Sequence, residues 1–424
     1  MELTNHQNAI ANKVLLDIYK VLSSGGNPFV SLTGMAGSGK TTVTQHIIDI
    51  LSEDYSIKAT APTHKATKVL AKNLVSIEAS TIHSFLKLKL KPDFNTGLQI
   101  LIEDWGGPKS PRPENVDILV VDEGSMISTE MFEHIQNAVD KGRMKVVLFV
   151  GDSMQLKPVE GNGDSIYNRL HSHELTAVVR QAQGNPIIKE STWIRSMIEA
   201  QNFLPIDKLF NSSKDKITVY TDRSEFLNSY LNNPSEDKVV CTFTNAVVDQ
   251  YNHFIRGRLK GTNIPYIVQG DLLIFQDSLS KGDRMVYSNN DVVEVYACDK
   301  RHDTKLGINY WHISVKDEEP FEIVDIESMG TWNEHLGALK ENANKESDKY
   351  KKKTLWAYYF NTANRFGNVK YVYASTLHKL QGSTYEDVYF DFSSLKKHTH
   401  DMDNVYRLIY VALTRASDSI KILR

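Results

Sequence analysis

Apolar residues along the chain recur with two periods. Residues 4 to 23 put Ile10, Val14, Ile18, Val21 and Leu22 on one helical face, and Gly25-Gly26-Asn27-Pro28 ends that helix. Phe29-Val30-Ser31-Leu32 then reads as a buried strand, after which Val43, Ile47, Ile48 and Leu51 return to helical spacing. Short apolar strands follow at 57–61, 117–121 and 145–150. Strands alternating with helices in this way predict an α/β fold with a parallel, doubly wound sheet. A second such succession runs through 217–220 and 239–243 and returns at 369–373.

Two stretches break the pattern. From Leu86 to Lys91, leucine and lysine alternate with period two, Pro92 to Gly97 supplies turn chemistry, and Pro108, Pro111 and Pro113 close the segment, which predicts an inserted hairpin. Between 268 and 368 the chain shows short β-like runs such as 291–296 and then a charged stretch from Glu341 to Lys353, which predicts a small β-rich insertion with a polar helical arm. The expected organisation is a first domain of 1–85 and 116–182 with the hairpin 86–115 inserted, and a second of 183–267 and 369–424 with 268–368 inserted. A length of 424 residues supports more than one core.

Hydrophobic content of 41% and charged content of 24% are ordinary for a globular chain, and no apolar run approaches a membrane span. The N-terminal Met-Glu-Leu-Thr-Asn-His-Gln lacks the basic and apolar segments of a signal peptide, so a cytoplasmic protein with no membrane partner is expected. Two cysteines, Cys241 and Cys298, exclude a disulfide framework or a cysteine-rich zinc site. Net charge is −3, from 49 basic and 52 acidic residues, so any nucleic acid must be held in a local groove rather than by a protein-wide field.

The sharpest chemical signal is Gly34-Met35-Ala36-Gly37-Ser38-Gly39-Lys40-Thr41, with Thr42 after it, which fits the P-loop pattern G-x-x-x-x-G-K-[ST] between the expected strand and helix. Its glycines let backbone N–H groups turn toward phosphate oxygens at a helix N-terminus, Lys40 reaches the β- and γ-phosphates, and Thr41 offers a hydroxyl to Mg²⁺. Asp122 and Glu123 end an apolar strand downstream, where one acid suits Mg²⁺ and the next suits polarising a water. Gln155, in the loop after the following strand, is placed to sense a γ-phosphate. Arg180 and Arg415 are candidates to stabilise transition-state charge, with a surface salt bridge as the alternative for each. Gln7 has two readings: partner to Thr4 in a capping box, or a grip on an adenine edge.

The order of these segments resembles superfamily 1 helicases, and in particular their 5′-to-3′ RecD- and Pif-type group. The resemblance is carried by Leu3-Thr4-Asn5-His6-Gln7, the P-loop, Ala61-Pro62-Thr63-His64-Lys65-Ala66, Ser80-Thr81-Ile82-His83-Ser84, Asp122-Glu123-Gly124-Ser125, Gly151 to Pro158, Ala374 to Ser383 and Tyr410 to Arg415. It implies two RecA-like P-loop domains, ATP and Mg²⁺ at their interface and single-stranded DNA running across both. It also implies an SH3-like character for the β-rich insertion. It assigns Gln7 to adenine; Gly37, Ser38, Gly39, Lys40, Thr41, Thr42, Asp122 and Glu123 to phosphate, metal and water; Gln155 and Gly382 to the γ-phosphate; and Arg180 and Arg415 to arginine fingers. Thr63, His64, Thr81, His83, Thr376 and His378 would face DNA, their alternative being N-caps and turn residues. One departure stands out: Gly124 follows the acids where an alanine or aliphatic residue is frequent.

A motor also needs a rigid element at the fork, and Phe94 at the hairpin turn could stack on a base there; alternatively Leu86, Leu88 and Leu90 merely cover a sheet. The expected activity is an ATP-dependent helicase on tailed or forked DNA, acting as a monomer, with single-strand-binding or replication proteins as partners and the host cytoplasm as its location if phage-encoded. The rivals are a translocase that displaces proteins without strong unwinding, and an ATP-switched interaction protein.

Overall fold

The computed structural model describes residues 3–74, 76–104, 113–157, 165–177, 184–282, 284–396 and 400–424. The chain divides into two compact units, one made of Met1–Lys87, Trp105–Val248 and Ala374–Arg424, the other of Leu88–Asp104 and Asp249–Tyr373.

The first unit holds both expected parallel sheets. Six strands lie in the order Ala79–Thr81, Ile57–Ala61, Ile118–Val121, Val146–Gly151, Phe29–Gly34, Ser172–Leu175, every neighbouring pair parallel. Ile118–Val121 and Val146–Gly151 are buried at every position, as continuous apolar strands must be when helices cover both faces. Helices Asn5–Ser24 and Lys40–Leu51 supply Ile10, Val14, Ile18, Val43, Ile47 and Ile48 to the core over this sheet. The second sheet runs Ala374–Thr376, Lys238–Thr242, Tyr385–Asp391, Ala416–Leu423, Ile217–Tyr220, again all parallel. Its core is built on helix Met402–Arg415, buried without interruption from Val405 to Leu413. A helix buried on all sides is stable only when other elements enclose it.

The second unit is antiparallel. Leu272–Phe275 pairs with Val292–Glu294 and Val369–Tyr371, and Ile308–Ser314 pairs with Ala297–Asp303 and Phe321–Val324. Phe275 stacks on Tyr287 at 4.5 Å and touches Phe321, in a core that mixes these rings with aliphatic residues such as Leu273, Val293, Ile313 and Ile323. Two helices follow, Met329–Lys345 and Lys349–Ala363, the second capped by Asp348. The expected polar arm is therefore a helical pair, and its inner face is apolar: Trp356 is 1% exposed and packs with Ala343 and Phe360.

The hairpin also differs from its sequence outline. Leu86 ends a short helix, Ile82–Leu86, and Lys87 turns the chain at φ +57, so the paired strands are Leu88–Asp93 and Leu98–Glu103. Of the three leucines, Leu86 and Leu88 are buried and Leu90 is 58% exposed. The turn itself rests on the helical pair. Phe94 meets Phe360 edge-on at 6.3 Å, and Gly97, at φ +71, lies so close to Trp356 that a Cβ there would sit 2.0 Å from its ring. Among the described residues no helix is long and apolar enough to cross a membrane.

Gly97→Ala should release the turn, because left-handed backbone costs a residue with a Cβ about 1–2 kcal/mol and overpacking against Trp356 adds about 1–3 kcal/mol. Hydrogen exchange at the hairpin amides should accelerate at least tenfold, about the effect of 1.4 kcal/mol. Unchanged protection would contradict the packing.

Candidate nucleotide and nucleic-acid site

The P-loop connects strand Phe29–Gly34 to helix Lys40–Leu51. Gly37 and Gly39 take φ +77 and +83, and Gly39 caps the helix with no side-chain bond, which leaves the first-turn N–H groups for an anion. Lys40 Nζ lies over the loop, donating to the Gly34 and Met35 carbonyls at 2.7 and 3.0 Å. Ser38 Oγ donates to Met35 O at 2.8 Å, and a Cβ on Gly34 would fall 2.6 Å from that hydroxyl. Thr41 and Thr42 occupy the first turn, with Thr41 exposed. The capping box at Thr4 is present: Gln7 Oε1 accepts from Thr4 N at 3.0 Å, while its Nε2 donates to the Ser38 carbonyl at 3.0 Å. Gln7 thus braces the phosphate loop, and one amide hydrogen remains for another acceptor.

Asp122 and Glu123 follow strand Ile118–Val121. Loss of hydration, and then the adjacent charge of Glu123, push the Asp122 carboxyl up to about 7. Two acids held this close form a donor set that a divalent cation would neutralise. Glu123 adopts φ +51, a strained conformation for a residue with a Cβ. The departure at Gly124 has a steric cause. Tyr167 is buried with its hydroxyl against the ends of two strands, so a Cβ on Gly124 would lie 2.5 Å from Tyr167 Oη and one on Gly151 2.4 Å from it. That hydroxyl has no hydrogen-bond partner among the described residues, and burial, followed by the charge of Glu123, raises its pKa well above the ordinary range.

The second sheet's elements reach this site through the loop after Val146–Gly151. Asp152 is fully buried; its Oδ1 accepts from Arg195 at 2.5 Å and its Oδ2 from the Tyr410 hydroxyl at 2.5 Å. Arg195 also meets Glu174 and Glu199, at 2.5 and 2.7 Å. Arg407 donates to the carbonyls of Ser153 and Gln155 at 3.0 and 2.9 Å, and Gln381 Nε2 lies 3.3 Å from both Gln155 Oε1 and Ser125 Oγ. Gly382, next along, is close enough to the acids that a Cβ would meet Glu123 Oε1 at 3.9 Å. Arg415 is buried, donates to Ser383 O at 2.9 Å, and pairs with no carboxylate among the described residues, which removes the surface salt-bridge reading. Arg180 lies outside the described residues. Sequence reasoning missed Asp152, Arg195, Tyr410 and Tyr167. A signal existed for Arg195, a charge on the apolar face that Ile187, Ile194 and Ile198 define in helix Pro186–Glu199.

Residues 16–202 match the AAA domain family and 371–420 match the UvrD-like helicase C-terminal domain. The chain is 27% identical to the ATP-dependent DNA helicase dda of Enterobacteria phage T4, over 91% of this chain and 92% of that one. It is 33% identical to the ATP-dependent RecD2 DNA helicase of Deinococcus radiodurans, over 39% of this chain and 21% of that one. A solved structure of two coordinating Pif1 helicases, concerned with unwinding at forked duplex DNA, matches the fold with a TM-score of 0.51 at 18% identity, covering 100% of this chain and 92% of that one. These likenesses support a superfamily 1 helicase of the RecD- and Pif1-like kind. Its two parallel sheets are the RecA-like halves of that fold.

The candidate DNA-facing residues divide by what holds them. Thr63 and Thr81 are N-caps, each accepting from a backbone N–H at 3.1 Å, whereas Thr376 sits at a cap position with no side-chain bond. His64 and His83 are neighbours: burial, followed by the charges of His64 and His134, lowers the pKa of His83. Burial alone lowers that of His378, which lies 6.2 Å from Phe243. Both shifts favour the neutral imidazole, which suits hydrogen bonding more than ion pairing. Phe94 belongs to the other compact unit, half-buried on Phe360.

Gly124→Ala should destabilise the first unit by about 1–3 kcal/mol, because its Cβ enters the space of Tyr167 Oη. Tyr167→Phe should restore most of that loss, since the hydroxyl is both the clashing atom and a buried group without a partner. Thermal unfolding of the two single variants and the double variant checks this; a Gly124→Ala protein as stable as its parent would refute the packing.

Proposed function

We propose that the chain is an ATP-dependent DNA helicase that moves 5′ to 3′ along single-stranded DNA and opens the duplex ahead of it. The observation that supports this most is the loop 151–156: it carries Gln155 of the nucleotide half and is gripped by Arg407, Tyr410 and Gln381 of the other half. A change at the γ-phosphate can then be felt directly by the second RecA-like half. Lys40 neutralises phosphate charge, the first-turn N–H groups orient the phosphates, and Gln7 fixes the loop while its remaining N–H is offered to adenine. Thr41 and Asp122 are the ligands for Mg²⁺, which when bound with ATP neutralises charge between the phosphates. Glu123 orients and polarises the attacking water; Gln155 and Gly382 read the γ-phosphate; Arg415, with Arg180, stabilises the charge of the transition state.

Thr63, His64, Thr81, His83, Thr376 and His378 hold the strand without reading its bases, as a tracking groove requires. Opening one base-pair step costs about 1.4 kcal/mol on average. A modest difference in DNA affinity between nucleotide states is enough to offset it. The groups assigned to hydrolysis and strand binding come from one chain, so a monomer suffices, and single-strand-binding or replication proteins are its natural partners on exposed strands. The hairpin turn, braced at Phe94 and Gly97 by the helical pair, is the rigid element at the fork.

Strand displacement on 5′-tailed and 3′-tailed duplexes tests the activity. Unwinding from the 5′ tail is expected, and DNA-stimulated ATPase without unwinding would point to the translocase instead. Lys40→Ala should abolish turnover and leave strand binding largely intact. Arg415→Ala should keep nucleotide affinity while losing turnover by about 10³-fold or more; an equal loss of binding would make it a ground-state contact. Phe94→Ala should reduce unwinding while leaving DNA-stimulated ATPase near the parent level, and equal loss of both would reduce Phe94 to a structural role.

A further inference from the structure

Ser172–Leu175 is an edge strand of the six-stranded sheet, paired among the described residues only with Phe29–Gly34. His173 stands opposite Leu32 in that pairing, and His171 is two residues earlier. Ser31 Oγ pins the backbone here, bonding His171 O at 3.0 Å and Ser172 Oγ at 2.7 Å. Residues two apart on extended backbone share a face, and the two imidazoles meet edge-on with ring centres 5.1 Å apart. Helix Asn5–Ser24 brings a carboxylate to the same place: Asp17 Oδ2 lies 2.7 Å from His173 Nε2. One ligand atom from each of Asp17, His171 and His173 lies within 4.8 Å of the other two.

We propose that Asp17, His171 and His173 form a binding site for a divalent transition-metal ion of the Zn²⁺ class, separate from the nucleotide's Mg²⁺. Two imidazole nitrogens and one carboxylate are a zinc donor set, and at Zn–N and Zn–O bonds of about 2.0–2.2 Å tetrahedral ligands stand only about 3.3 Å apart. To reach that value the Asp17–His173 pair, now at 2.7 Å, opens slightly and the His171 ring draws in. A fourth position is left for water. His171 argues against a simple histidine–aspartate ion pair: its ring has no hydrogen-bond or ion-pair partner among the described residues, yet its backbone is fixed so that the ring faces His173. Imidazole ligation disfavours Mg²⁺ and Ca²⁺, which take oxygen donors. Lys13 and Lys20, exposed about one helical turn to either side of Asp17, further reduce any purely electrostatic attraction for a hard cation. The bound ion would fasten the helix that carries Thr4 and Gln7, and through Gln7 the phosphate loop, to the sheet edge beside the P-loop strand.

The test uses the full chain after dialysis against a chelator, titrated with ZnCl₂ in a calorimeter without nucleotide, and with Co²⁺ to read tetrahedral ligand-field absorption. One ion per chain is expected, with affinity lowered about tenfold or more in Asp17→Asn, His171→Gln and His173→Gln. Saturating Zn²⁺ should raise the unfolding midpoint of the parent and of Lys40→Ala but of none of the three variants, whose metal-free midpoints serve as the check on folding. No binding at millimolar Zn²⁺, or binding equally strong in all three variants, would overturn the proposal and leave an Asp17–His173 ion pair only.

Discussion

The carboxylate of Asp152 is the constraint on which the rest of the first unit depends. It is fully buried, and its two oxygens are taken by Arg195 and Tyr410. Removing one partner from a buried ion pair typically costs about 3–5 kcal/mol, because the remaining charge has no solvent to return to. Arg195 sits on helix Pro186–Glu199 and Tyr410 on helix Met402–Arg415, so one carboxylate ties the nucleotide sheet to both. The bonds from Arg407 to the Ser153 and Gln155 carbonyls continue the grip along the loop. The two halves thus share a loop rather than merely facing each other across a gap.

That loop lies beside the chemistry. Gly151 and Gly124 make room for the Tyr167 hydroxyl, Glu123 is held in a strained conformation, and Gly382 comes up against Glu123 from the other half. Each feature is costly alone: a buried hydroxyl without a partner among the described residues, a left-handed acid, and an Asp122 carboxyl whose pKa is raised by burial and then by the charge of Glu123. Such features persist where the surrounding structure over-determines them, and they gather at sites that bind charged ligands.

Much of this was legible in the sequence because the signals are local. The P-loop fixes its own strand, turn and helix, and the continuous apolar runs around Val120 and Leu148 specify strands buried on both faces. What escaped depends on residues far apart in the chain. Nothing near Asp152 shows that Arg195 and Tyr410 will meet it, and the unusual Gly124 makes sense only beside Tyr167, well downstream of it. The helical pair was read as polar because lysines dominate 349–353. Its apolar face comes from Ala343, Trp356 and Phe360, spread over two helices, so neither stretch shows it alone.

The claim that the Asp152 node transmits nucleotide state between the halves is tested most directly by a double-mutant cycle on DNA-stimulated turnover. The four proteins are the parent, Asp152→Asn, Tyr410→Phe and the double variant. If one interaction links the two residues, each single change lowers stimulated turnover and the double change lowers it little further, giving a coupling of about 1 kcal/mol or more. Losses that simply multiply would contradict the account, because Asp152 and Tyr410 would then act independently.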